Sequence, residues 1–188
     1  MNPARPTSPA GGEVRVYVPA TLSRLRGALA DGVVTVTSGT AFAVSDALRR
    51  EYPDWSEEDL EYLAMQDAAR ASLRLLAAEA TELASEAAEG SPALRVVAAT
   101  DVSGDQVTVR ADLDRAAVRL TGPVAWRQVA AVHVDGADAG PAVAAALPLV
   151  DAADLGDPDA EFAMGSVEDF DLAWYAPGEV RYLFDDQL

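Results

Sequence analysis

Lysine and cysteine are both missing from this chain of 188 residues. The first absence excludes Schiff-base catalysis and a P-loop lysine. The second excludes disulfides, thiolate nucleophiles, cysteine zinc sites and iron–sulfur clusters, and it fits a cytoplasmic location. Positive charge is also scarce. Fourteen arginines stand against 31 acidic residues, for a formal charge of −17. Neutralising phosphates requires a basic patch, and the arginines occur as isolated pairs such as Arg24/Arg26 and Arg49/Arg50. Nucleic acid and membranes are therefore not expected partners. No apolar run approaches the roughly 18 residues of a membrane span. The opening MNPARPTSPAGG lacks the apolar stretch of a signal peptide, and residues 1–12 read as a disordered, flexible tail. No Gly-x-Gly-x-x-Gly, P-loop, His-Glu-x-x-His or Gly-x-Ser-x-Gly occurs, and no cofactor is expected.

What is present is a well-patterned core. Half of the residues are hydrophobic, and a folded chain of this length buries about 70% of its unfolded surface. One domain over residues 13–188 is expected. Residues 14–18 (VRVYV) alternate around Arg15 and read as a strand that Pro19 ends. Thr21 caps a helix over 22–30, with Gly32 just past it. Residues 33–37 and 40–44 read as strands around the turn Ser38-Gly39. Ser45 caps a helix that Pro53 stops.

Ser56 with Glu57, Glu58 and Asp59 opens the strongest helix, whose apolar face includes Tyr62, Met65, Ala69, Leu73 and Leu76. Continued to Glu89, it would span about 50 Å. A break near 77–81, or a protruding arm, is expected. Gly90-Ser91-Pro92 ends it. Strands follow at 94–101, 107–109, 117–120 and 131–134, with a short helix over 122–129. An alanine-rich helix over 141–153, a helical turn at 161–164 and strands at 170–175 and 180–184 complete the reading.

The order strand, short helix, strand, longer helix, strand occurs twice, over 14–101 and 118–176. DLEYLAM at 59–65 resembles DAEFAM at 159–164, with one residue inserted. The expected fold is a single α+β (mixed α/β) domain. A mixed sheet of about six to eight strands is packed by helices, and two duplicated βαβ-based halves flank a cleft.

Five segments together resemble a known family. They are RVYVPAT at 15–21, GTAFAV at 39–44, EYLAMQDAARASLRLL at 61–76, AVHVD at 131–135 and DLAWYA at 171–176. The family is an uncharacterised domain of unknown function in high-GC Gram-positive (actinobacterial) proteins, and the likeness spans roughly 14–184. It carries no assigned chemistry, so the resemblance implies no catalytic residue.

His133 is the only histidine. It is the candidate acid–base residue; the alternative is a half-buried strand histidine bonded to backbone or to Asp135. Asp157, Asp159 and Glu161 belong to the densest acidic cluster and are candidate ligands of a hard cation. With Glu168 they fall at the first, third, fifth and twelfth positions of an EF-hand loop, but Phe162 stands where that loop needs glycine. The alternative is a solvated acidic loop with helix caps. Arg70 and Arg74 lie one turn apart and either grip an anionic ligand or form ion pairs, Arg70 with Asp67. Trp174 and Tyr175 face opposite sides of a strand, so one fills the core and the other faces a cleft or partner. Tyr17, Trp55 and Trp126 read as core aromatics, and Tyr17 is also a candidate ligand contact.

The leading expectation is a non-catalytic binding or regulatory module. Its partner is a protein with a basic surface or a second copy of the chain. The alternatives are a carboxylate-based enzyme with a weak divalent-metal site, and an acidic mimic of nucleic acid.

Overall fold

The computed structural model describes residues 12–86 and 92–187. The expected tail falls almost wholly outside them, as do 87–89 of the acidic stretch and the helix stop at Gly90-Ser91.

The chain begins with β1 (Glu13–Ala20) and α1 (Leu22–Asp31), then β2 (Val33–Val34) and β3 (Thr40–Phe42). Two helices follow, α2 (Asp46–Glu51) and α3 (Glu57–Glu86). Next come β4 (Val96–Ser103), β5 (Val107–Val109), β6 (Ala117–Leu120), β7 (Val124–Ala125) and β8 (Val129–Asp135). Three helices, α4 (Gly140–Ala146), α5 (Val150–Asp154) and α6 (Pro158–Glu168), precede β9 (Leu172–Tyr175). The last element is a 3-10 helix, Val180–Gln187.

Seven strands form one sheet in the order β5-β6-β3-β1-β4-β8-β9. Every pairing in it is antiparallel. The strand number is as expected, but the sheet is not mixed. The crossover β3–α3–β4 does join strands of the same direction, and β1 is inserted between them. The order also shows no repeat. In the first pass β1 lies between β3 and β4, whereas β6 lies beyond β3 and far from β8 and β9.

The period of two along β1 divides the core. Val16 and Val18 join Leu25, Val96, Val132 and Val134 on one face, covered by α1 and the C-terminal 3-10 helix. Tyr17 joins Phe42, Val97, Ala99 and Ala131 on the other, under Leu60, Ala64 and Ala68 of α3. A third cluster packs Val143, Val150 and Met164 of α4–α6 against Leu73 and Leu76 of α3.

Several helix ends form as the residues dictate. The Thr21 hydroxyl accepts from the Arg24 N–H at 3.2 Å, and Gly32 closes α1 in the left-handed conformation at φ 70°. The Ser45 hydroxyl accepts from the Leu48 N–H at 3.1 Å. Ser56 and Asp59 cap each other at the start of α3: the Asp59 N–H donates to the Ser56 hydroxyl, and the Ser56 N–H donates to the Asp59 carboxylate.

Other expectations are corrected. Pro19 lies within β1, opposite Val97; only β4 flanks the strand there, so no ladder bond needs the missing N–H. Residues 33–37 give only the two-residue β2, paired with β7, and a 3-10 turn over Thr37–Gly39. Residues 122–129 form β7 and the turn Trp126–Gln128 rather than a helix. The helix expected over 141–153 is divided by Leu147–Leu149, because Pro148 removes a donor and crowds the preceding turn. Residues 180–184 are helical, since Val180, Leu183 and Phe184 reach the core at helical spacing. No break occurs at 77–81. Leu76 is buried in the third cluster, and the Glu79 carboxylate accepts from the Thr21 hydroxyl at 2.8 Å and from Arg24 Nε at 3.1 Å. Beyond this anchor Ala80, Thr81 and Glu82 are exposed, as an arm would be. Trp55 is 46% exposed and stacks on Tyr52 instead of filling the core.

Candidate functional site

The face of the sheet under α3 is not fully covered. Along β1, β4, β8 and β9 the side chains on this face are Arg15, Tyr17, Ala99, Ala131, His133 and Trp174, and they line a hollow of about 250 Å³. Its floor is low because Ala99 and Ala131 carry only methyl groups. Next to them Ala99 pairs with Ala131 but Thr100 pairs with Val129, so Ala130 is bulged out of the ladder. Bulges of this kind recur beside functional sites.

The wall comes from the start of α3. Glu58, Glu61, Tyr62 and Met65 are separated by three, four and seven residues, which puts them on one stripe of the helix. Tyr62 is 48% exposed; its hydroxyl accepts from Gln66 Nε2 at 2.6 Å and donates to the Asp171 carboxylate at 3.3 Å. This contact ties the helix to the residue that enters β9.

Charge in the hollow is unbalanced. Arg15 sits opposite Asp101 in the β1–β4 ladder and grips it through two hydrogen bonds of 2.6 and 3.0 Å. That pair cancels. Glu58 and Glu61 have no ion-pair partner among the described residues. Burial, and then the nearby Arg15 cation, hold His133 below its ordinary pKa, so it is neutral at pH 7. Burial pushes the Tyr17 phenol up to about 12, with Glu61 adding to the shift and Arg15 opposing it. The hollow therefore places two carboxylates without ion-pair partners, and the ion-paired Arg15, beside three aromatic rings, Tyr17, Tyr62 and Trp174.

The sequence candidates separate into groups. His133, Tyr17 and Trp174 meet in this hollow, His133 directly opposite Trp174 in the β8–β9 ladder. Tyr175 points to the other face and packs on the core. Arg70 and Arg74 lie elsewhere, at the contact of α3 with α5 and α6. Arg70 bonds Glu161 at 2.7 Å and Glu168 at 3.2 Å, and Arg74 grips Asp154. Asp67 is not the partner of Arg70, which reaches across to α6 instead. Asp157 caps α6, its carboxylate accepting from the N–H groups of Asp159 and Ala160. Glu161 is committed to Arg70, and Asp159 is exposed in the first turn of α6. Among the described residues no three acidic or histidine side chains are grouped to hold a metal ion.

His133 does not bond to Asp135. Among the described residues it has no hydrogen-bond partner, and Asp135 is taken by Arg95 in a fully buried pair at 2.7 Å. Arg95 also donates to the Phe170 carbonyl at 2.7 Å. Sequence reasoning missed Glu58, Glu61 and Tyr62 as site residues. Their shared helical stripe was visible, but not the strand face it would meet.

A second, larger hollow of about 560 Å³ lies between α1 and the end of α3, lined by Arg24, Glu79, Leu76 and Leu147. Three of its polar groups are already bonded: Arg24 to Glu79 and to Thr37, and Thr21 to Glu79. Among the described residues no helix is long and apolar enough to cross a membrane.

One family model matches residues 14–184, that of a family of unknown function, DUF6912. No curated protein and no solved structure matches the chain.

Proposed function

The chain belongs to this family of unknown function, and we propose that it is a non-catalytic binding module whose hollow beside β9 receives a cationic side chain of a basic protein partner. The observation that carries this reading is the meeting of Tyr17, Tyr62 and Trp174 with the unpaired carboxylates Glu58 and Glu61 in one open hollow. Aromatic faces attract a cation through their quadrupole, by about 0.5–1 kcal/mol per ring at exposed sites. Two unneutralised carboxylates add Coulomb attraction, which salt weakens. Neutral His133 adds a ring nitrogen that is free to bond the same group. A guanidinium fits this set better than an ammonium, because its plane stacks on Trp174 while its edge reaches a carboxylate.

The net charge of −17 supports the same choice of partner, since it steers basic surfaces toward the molecule. The test is an NMR titration with N-acetyl-arginine amide. The resonances of the Trp174 indole and the His133 ring shift with millimolar affinity in the wild type, and the Glu58→Gln/Glu61→Gln double variant weakens that affinity about fivefold or more. Unmoved resonances in the wild type, or equal affinity in the double variant, overturn the reading.

A further inference from the structure

We infer that the partner docks as an extended strand on the free edge of β9, adding an eighth strand to the sheet; this rests on the reading of the hollow given above. β9 pairs with β8 alone and is the last strand of the sheet. An edge strand leaves every second N–H and C=O without a ladder partner, and folded proteins commonly guard such edges with proline, lysine or inward charge. None of these guards is present in Leu172–Tyr175, whose sequence is LAWY; what limits pairing there is the strand's length of four residues. Ala173 and Trp174 are exposed, Trp174 at 60%. Among the described residues no other element packs on β9 to the extent that β8 does.

The geometry links this edge to the hollow. A strand added beside β9 lies about 4.8 Å away. Its residue opposite Trp174 projects to the same face as Trp174 and His133, which is the face of the hollow. An arginine there stacks on the indole and brings its guanidinium toward Tyr62 and Asp171, which are already joined.

Charge selects the occupant. Asp169 and Asp171 precede the strand, and Glu58 and Glu61 line the hollow that Trp174 shares. A second copy of the chain would bring the same acids to the same edge, in a molecule of charge −17. An extended basic segment is complementary where a second copy is repelled. The occupant is therefore a strand with alternating arginine and β-branched residues, a pattern that keeps the arginines on one face. The backbone then supplies affinity and the hollow supplies preference, as in other cases of strand addition.

The probe is the pentapeptide acetyl-Val-Arg-Val-Arg-Val-amide, with a second version N-methylated at alternate backbone amides. The parent peptide protects β9 amides from hydrogen exchange, and N-methylation on the bonding edge lowers affinity by about tenfold or more. The methylation is tried in both alternating registers, because only one faces β9. Equal affinity in both registers, with N-acetyl-arginine amide still bound, overturns strand addition and leaves the hollow intact. Loss of both peptide and arginine amide binding overturns both readings. Concentration-dependent dimers by light scattering, with β9 protected in the absence of peptide, would make a second copy the occupant and overturn the basic segment. Trp174→Ala, at an exposed position, keeps the fold by near-UV circular dichroism and weakens the parent peptide about fivefold.

Discussion

Arg95 and Asp135 show how one buried pair can organise the ground next to a site. Both side chains are fully buried, and the Asp135 carboxylate also accepts from the Arg95 backbone N–H at 2.8 Å. Asp135 is therefore unavailable to His133 two residues earlier, which leaves the imidazole free in the hollow. Removing one partner strands the other charge in the interior. Asp135→Asn is expected to lower stability by about 3–5 kcal/mol, measured as the loss in urea midpoint. A loss below about 1 kcal/mol would mean that the pair contributes little. Asp67 is the opposite case, a half-buried acid without an ion-pair partner, with its buried Oδ2 unpartnered among the described residues. Burial, with help from Asp114 and Glu168 and against Arg115 and Arg70, pushes its carboxyl up to about 6. The native state then holds the proton more tightly than the unfolded chain, whose carboxyl titrates near 4. Stability from this group is full below about pH 4 and is lost as pH rises through about 6. Asp67→Asn is expected to be more stable than the wild type by about 1–2 kcal/mol at pH 7 and equal to it near pH 4. The difference between their urea midpoints across that range checks it. Spacing along the helix suggested the pairing of Asp67 with Arg70; it missed that α6 would offer Arg70 two better acids.

Secondary structure was legible wherever local chemistry and tertiary packing agreed. Thr21 and Gly32 bound α1, Ser45 starts α2, and the acids after Ser56 start α3. Alternation around Arg15 marked β1, and apolar runs marked β4, β6 and β8. Reading failed where β-branched or apolar runs had no strand to pair with. Residues 33–37 have partners only at Val33 and Val34, and residues 180–184 fold back on the core as a helix. The first turn of α6 was also under-read, since only 161–164 read as helical, whereas Pro158 is a good first residue of a helix capped by Asp157. The α4–α6 unit is held by its apolar contacts and not by its surface ion pairs. Met164 is fully buried in the third cluster, and Met164→Ala is expected to cost about 2–5 kcal/mol. Arg70→Ala, whose partners are open to water, is expected to cost less than about 1 kcal/mol. Thermal melts of the two variants side by side check the ranking, and equal losses would contradict it.

Across the whole molecule, the antiparallel sheet brings β1, β4, β8 and β9 together, and with them residues from positions 15 to 174. Half of the hollow could be found in the sequence, because Tyr17, His133 and Trp174 stand out by type and strand parity. The other half could not, because Glu58, Glu61 and Tyr62 matter only once α3 lies across that face. The net charge of −17 is likewise sharpened. Many acids cap helices or pair with arginines, whereas Glu58 and Glu61 line one hollow and have no ion-pair partner among the described residues. Binding of a basic strand there is expected to weaken several-fold between 50 and 300 mM salt, a dependence that calorimetry reads directly. The most direct test compares acetyl-Val-Arg-Val-Arg-Val-amide with the same peptide carrying citrulline for arginine, which keeps the planar shape, exchanges one terminal amino donor for a carbonyl acceptor and removes the charge. The expected result is an arginine peptide bound about tenfold or more tighter than its citrulline counterpart; equal dissociation constants would contradict the cationic hollow.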